Sequence, residues 1–156
     1  DGHETAQSVI SESQAGLAES LRLAEIDAEA FESVMSAYRL PRETEEEKEI
    51  RKKSIRDATI GAAEAPLATA SSARRLLSSL ERLCESCNEN ALTDLASSSE
   101  LCLSAVKIAA MNVRINLDFI DGDDVDRLSS QIDKVVQQST TSAEAITLKV
   151  NERLGW

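Results

Sequence analysis

Between residues 125 and 154 the apolar side chains fall on one helical face. Val125, Leu128, Ile132, Val135, Val136, Ile146, Val150 and Leu154 keep spacings of three and four, and Ser139 and Ala143 fill the middle of the same face. That periodicity predicts a long amphipathic helix. Hydrophobic residues make up 42% of the chain and aromatics only 3%, so a core must be built from Ala, Leu, Ile and Val. Such residues favour helices and let backbones approach closely. Five Gly and two Pro are too few for the turns of an all-β fold. With 156 residues the chain is long enough for one domain with its own core. The fold class expected is all-α: one domain over residues 1–156, an antiparallel bundle of four or five long helices. Small inward residues leave apolar edge uncovered, and a homodimer would cover it.

The punctuation of the chain supports this organisation. A first helix is predicted over residues 4–38. Pro41 ends it, because the residue before a proline, Leu40, is biased out of helical geometry. Thr44 followed by Glu47 reads as a capping box, and the acidic turn after it suits the start of a second helix. Pro66 is expected to kink or restart that helix, with a continuation over residues 67–87 carrying Leu76, Leu77, Leu80 and Leu83. Asn88-Glu-Asn90 reads as a turn, after which Thr93 or Asp94 caps a third helix running to about Leu117. Its inward positions are small: Ala105, Ala109 and Cys102. Asp121-Gly-Asp-Asp124 is a turn and cap before the last helix.

One carboxylate stands out. Leu17, Leu21, Ala24, Ala28, Phe31, Met35 and Tyr38 recur at alternating spacings of four and three and line one helix face, and Asp27 sits on its flank. An acid there is expected to be partly withdrawn from water, with its neutral form favoured, and able to donate a proton near neutral pH. The plainer reading is an Asp bonded to a neighbouring helix cap or Arg.

Charge and cysteine usage exclude several classes. The formal net charge of −11 argues against general binding to nucleic acid or to an anionic membrane, both of which need excess Lys and Arg. No apolar run approaches the roughly 20 residues that span a bilayer, and the amino end does not read as a secretory signal. Three Cys without a disulfide-scaffold spacing fit a reducing, cytoplasmic setting. Cys84-Glu-Ser-Cys87 is a C-x-x-C, but it lacks the strand-to-helix context of a redox motif and the two further ligands of a zinc site. These thiols read as small apolar fillers near a helix end.

Five blocks carry a resemblance. Asp27-Ala-Glu-Ala-Phe31, the Tyr38-Arg-Leu-Pro-Arg-Glu-Thr-Glu-Glu-Glu-Lys48 segment, the Ala65-Pro-Leu67 step, Asn90-Ala-Leu-Thr-Asp94 and Asn112-Val-Arg-Ile-Asn-Leu117 occur in an order and separation that resemble the formiminotetrahydrofolate cyclodeaminase / methenyltetrahydrofolate cyclohydrolase family. Members of that family open with a Gly-Gly-Gly-Ser segment and an Ala-rich helix that contribute to the substrate site. This chain begins after the place where that helix would end, and the expectation is either a piece of a longer protein or a member without that element.

The resemblance implies one-carbon chemistry on tetrahydrofolate. In the cyclodeaminase reaction a nitrogen attacks the carbon of a neighbouring formimino group, ammonia leaves and the methenyl bridge closes; the departing nitrogen must be protonated. In the cyclohydrolase reaction water adds to the methenyl carbon and the ring opens. Asp27 matches the family's proposed catalytic acid. Asn112 and Asn116, four apart on one helix side, become candidates to bond the pterin edge; the plainer alternative is a hydrogen bond between helices. Asp94 pairs with the same edge or caps its helix. Arg39 and Arg42, in the turn after the Asp27 helix, become candidates for the folate carboxylates. Lys48, Arg51, Lys52 and Lys53 interleave with glutamates and read as a solvated face. No metal or redox cofactor is implied, since folate carries the reacting carbon. A formiminotransferase, fused or separate, is the implied protein partner. The competing expectation is a helical assembly domain that keeps the bundle without the pocket.

Overall fold

The computed structural model describes residues 2–156. Four helices follow one another: α1 Gly2–Tyr38, α2 Glu45–Cys84, α3 Leu92–Leu117 and α4 Asp123–Leu154, with a short 3-10 turn at Glu89–Ala91. No strand occurs among the described residues.

The helix boundaries follow from local chemistry. Thr44 caps α2: its side chain accepts from the Glu47 N–H at 3.2 Å, and the Glu47 carboxylate accepts from the Thr44 N–H at 3.0 Å. Gly122 starts α4 with φ of 81°, a conformation that side chains with a Cβ adopt only under strain. Two expectations fail. Neither Thr93 nor Asp94 caps α3, which begins one turn earlier behind Ala91; Asn88 does the capping upstream, its side chain accepting from the Asn90 N–H at 2.9 Å. Nor does Pro66 break α2, which runs unbroken from Glu45 to Cys84. A proline inside a helix frees the carbonyl four residues back, here that of Ala62. Asn116 of α3 donates its side-chain amide to that carbonyl at 3.0 Å, so the freed acceptor has a partner.

The core lies among α2, α3 and α4. At one end Leu77, Leu92, Leu95, Leu103, Ala143, Ile146 and Val150 pack together. In the middle, Ala70, Ala73, Ala109 and Ala110 let the helices approach while Val106, Val113 and Ile132 fill the space. Ala63, Leu128 and Ile120 close the other end. The α4 face read from periodicity is the buried one: Leu128, Ile132, Ser139, Ala143, Ile146 and Val150 are all inside. Arg56–Asp124 at 2.7 Å, Arg127–Glu64 at 3.0 Å and Arg114–Asp133 at 2.7 Å tie the rims of α2, α3 and α4 together.

Helix α1 stands outside this core. It packs along α2 and hardly touches α3 or α4. Its contact seam is Val9, Gly16, Leu23 and Ala37, with half-buried Ala30 continuing the seven-residue spacing. At Gly16 an added Cβ would lie 2.9 Å from Leu76, so the helices meet closely there. The stripe expected to be buried faces out: Leu17 is 66% exposed, Leu21 65% and Phe31 62%. It is one helix face, but no helix among the described residues covers it.

Candidate active site

A groove of about 410 Å³ opens between α1 and α3, floored by α2. From α1 come Asp27, Phe31, Val34 and Tyr38; from α2, Thr59, Ala62 and Pro66. Asn112, Ile115 and Asn116 line it from α3, and Phe119 from the turn beyond. The volume is that of a small-molecule site, mostly apolar with a few convergent polar groups.

The polar groups differ in what they have free. The Thr59 hydroxyl donates to the Ile55 carbonyl of its own helix at 2.7 Å. Asn116 Nδ2 donates to the Ala62 carbonyl at 3.0 Å and to the Asn112 carbonyl at 2.8 Å. Both amide hydrogens are thereby committed, and the Oδ1 acceptor is the group Asn116 can offer to a ligand. The bond between helices anticipated as the alternative for Asn116 is thus present, and it fixes the residue inside the groove. Asp27 is the one charged residue of the lining. It is exposed, contrary to the expectation of a carboxylate partly withdrawn from water, because the α1 stripe beside it has no covering helix.

The end of α1 is fixed by Arg51. Its Nε and Nη2 donate to the Tyr38 carbonyl at 3.4 and 3.2 Å, and its guanidinium lies 5.5 Å from the Tyr38 ring centroid. Arg51 is therefore more than part of a solvated face. It satisfies a carbonyl at a helix C-terminus and stacks on an aromatic wall of the groove.

Asp27, Asn112 and Asn116 meet in the groove although the sequence separates them widely. Arg39 and Arg42 are exposed in the α1–α2 turn beyond Tyr38 and do not line it. Asp94 lies elsewhere: it is exposed in the first turn of α3, about 27 Å along the helix axis from Asn112. Phe31, Tyr38 and Phe119 were not singled out as site residues from the sequence. Their rarity in so aromatic-poor a chain was the available signal.

A second groove, about 740 Å³, follows the α1–α2 seam toward the amino end. Both of its carboxylates are paired. Glu12 accepts from Ser79 and from Arg82 at 2.6 Å. Glu19 accepts from Ser72 at 2.7 Å and Arg75 at 2.5 Å. The hydrogen bond from Ser79, and then that from Arg82, hold the Glu12 carboxyl down to about 2; Ser72 and Arg75 lower Glu19 in the same way. This groove is a polar fastening between two helices. At the far end of α2, Arg153 Nη1 and Nη2 donate to the Cys84 and Cys87 carbonyls, each at 2.8 Å, and burial raises the Cys84 thiol. That suits the reading of these cysteines as fillers.

Comparison with known proteins bears on most of the chain. Residues 1–135 match the family described as formiminotransferase-cyclodeaminase. A methenyltetrahydrofolate cyclohydrolase of Methylorubrum extorquens is 35% identical over 95 residues, 61% of this chain and 46% of the relative. A formimidoyltransferase-cyclodeaminase of Gallus gallus is 30% identical over 135 residues, 86% of this chain and 25% of the relative. The crystal structure of formiminotetrahydrofolate cyclodeaminase from Thermotoga maritima superposes with a TM-score of 0.63 at 27% identity, covering 86% of this chain and 61% of that one. The chain thus spans less than half of these two curated relatives.

Proposed function

Because the chain belongs to the formiminotransferase-cyclodeaminase family, we propose that the groove between α1 and α3 binds a tetrahydrofolate one-carbon adduct and that Asp27 moves the proton of its reaction. The observation that carries this reading is the meeting of Asp27 with Asn112 and Asn116 in one groove. Both reactions of the family need the same service. When the neighbouring nitrogen attacks the formimino carbon, it passes its hydrogen to the carboxylate; the formimino nitrogen takes that proton and one more from water, its bond to carbon breaks, and ammonia leaves as the methenyl bridge closes. When water adds to the methenyl carbon, the carboxylate accepts one water proton and returns it to the departing ring nitrogen, and the second is lost to solvent as the formyl carbonyl forms. Asn112 and Asn116 hold the ring edge. Arg39 and Arg42, just outside the groove, meet carboxylates of the ligand. No metal or redox cofactor is needed, because folate carries the reacting carbon.

A second copy of the chain is part of this reading. The outward stripe of α1, from Leu17 and Leu21 to Phe31, keeps the three–four spacing by which helices pair. Pairing there would complete an antiparallel bundle and withdraw Asp27 from water. A formiminotransferase is the proposed protein partner, in keeping with the formimidoyltransferase named in the Gallus gallus relative, and a reducing cytoplasm suits three free thiols. No helix among the described residues is long and apolar enough to cross a membrane.

The near-ultraviolet absorbance of methenyltetrahydrofolate provides the test. The chain should accelerate its decay, and Asp27→Asn should abolish the acceleration while leaving folate binding in place. An Asp27→Asn protein as fast as the parent removes Asp27 from the chemistry. The exposure of Asp27 favours one other reading, a catalytically silent assembly domain of the same fold; it predicts no acceleration by either protein.

A further inference from the structure

The chain has two prolines, and one of them stands where a helix least accepts it. Pro41 lies in the turn between α1 and α2, an ordinary place for the residue. Pro66 lies inside α2, buried on the floor of the groove between α1 and α3. It has no N–H for the Ala62 carbonyl, and its ring crowds that carbonyl. An alanine there would close the bond within α2.

The open carbonyl is met from α3 instead. Asn116 Nδ2 donates to it at 3.0 Å and to the Asn112 carbonyl at 2.8 Å. With one hydrogen on each, the amide is held against turning over, because the reverse orientation would set Oδ1 against two carbonyl oxygens. The Asn116 carbonyl in turn accepts from the Phe119 N–H at 3.1 Å, closing the turn that carries Phe119 to the groove. Ala62, Pro66, Asn112, Asn116 and Phe119 all line that groove. An unbroken turn of α2 would satisfy the Ala62 carbonyl without help from α3. What the proline and the asparagine add is an oriented amide whose Oδ1 is left to accept from a ligand. We propose that Pro66 is a positioning residue of the site: by withholding an N–H from the Ala62 carbonyl, it holds the Asn116 amide in the orientation that presents Oδ1 to the groove. Pro66 acts through Asn116 and touches no reacting atom. The proposal rests on the folate reading and adds to it the residue that aims one of its contacts.

Folic acid is titrated calorimetrically into the full chain and into Pro66→Ala, Asn116→Ala and the double variant. Exchange of the two Asn116 Nδ2 hydrogens with water is followed by NMR in the parent and in Pro66→Ala. Pro66→Ala should bind about fivefold more weakly, and its Nδ2 hydrogens should exchange faster than the parent's. The double variant should bind no more weakly than Asn116→Ala alone, since Pro66 has no other route to the ligand. A backbone ester at position 66, carrying the α-hydroxy analogue of alanine, removes the N–H without the ring and should bind within about twofold of the parent. Should Asn116→Ala fail to fold, the exchange rates and the ester decide without it. Parental affinity in Pro66→Ala overturns the proposal and spares the folate reading. So do losses that add in full in the double variant, Nδ2 exchange unchanged by Pro66→Ala, or an ester as weak as Pro66→Ala; each makes Pro66 a matter of helix shape alone. A parent that binds no folic acid overturns both, and the parent titration by itself tells that outcome from the others.

Discussion

Helix α1 and the α2–α3–α4 core are held by different physics. The core is apolar and closely packed, with Leu77, Leu128 and Ile132 fully buried between helices. Helix α1 is fastened to α2 by a narrow seam of small residues and two serine–arginine–glutamate clusters, and turns its larger apolar residues outward. The core makes the fold; α1 brings Asp27, Phe31 and Tyr38 to the groove. The chemistry is therefore proposed to sit on the element least bound by the hydrophobic effect, as befits a wall that must accommodate a ligand or a second copy.

The largest effect expected from this contrast is in stability. Leu77→Ala or Ile132→Ala should cost about 2–5 kcal/mol in denaturant unfolding, whereas Leu21→Ala on the α1 stripe should cost about 0.5 kcal/mol or less in the monomer. A large, concentration-dependent loss at Leu21 would show that the stripe is covered by another copy.

Pro66 sharpens the comparison next. Pro66→Ala restores an N–H that can bond the Ala62 carbonyl, so α2 should gain about 1–3 kcal/mol. The same change competes with the bond that fixes Asn116, and folic acid should bind several-fold more weakly. A variant that is both less stable and an unchanged binder contradicts the link drawn between Pro66 and Asn116.

The seam should also be the acid-sensitive part. Glu12 has a value of about 2 in the folded chain against an ordinary 4.5, so its contribution is complete above about pH 4.5 and is lost as pH falls toward 2. Glu19, lowered by Ser72 and Arg75, acts with the same sign. Amide hydrogen exchange across that window should accelerate in α1 before α3. Simultaneous loss of protection would contradict a seam held by these carboxylates. A local effect belongs to Arg51→Ala, which should fray the end of α1 for about 0.5–1 kcal/mol, visible as faster exchange near Tyr38.

Much of this molecule was legible in the sequence, for identifiable reasons. The periodicity of residues 125–154 specified both a helix and its buried face, because α4 packs into the core with its whole apolar stripe. The Thr44–Glu47 capping box was legible because it is local. The stripe through Leu17 and Phe31 was legible as a face but not as an exposed one; periodicity states that residues share a side, not that the chain has something to cover it. Pro66 misled because the compensation comes from Asn116, distant in sequence. Asp94 joined the candidate site through the resemblance, while the length of α3 carries it to the other end of the helix. The aromatic walls required the fold, since only packing brings Phe31 and Phe119 to one groove.

The measurement that bears most directly on the account is a map of folic acid binding by backbone amide chemical shifts. The groove between α1 and α3 predicts perturbations concentrated in residues 27–38, 59–66 and 112–119, with residues 92–103 silent. Perturbations centred instead on Glu12, Glu19 and Arg82, or spread evenly along the chain, would contradict it.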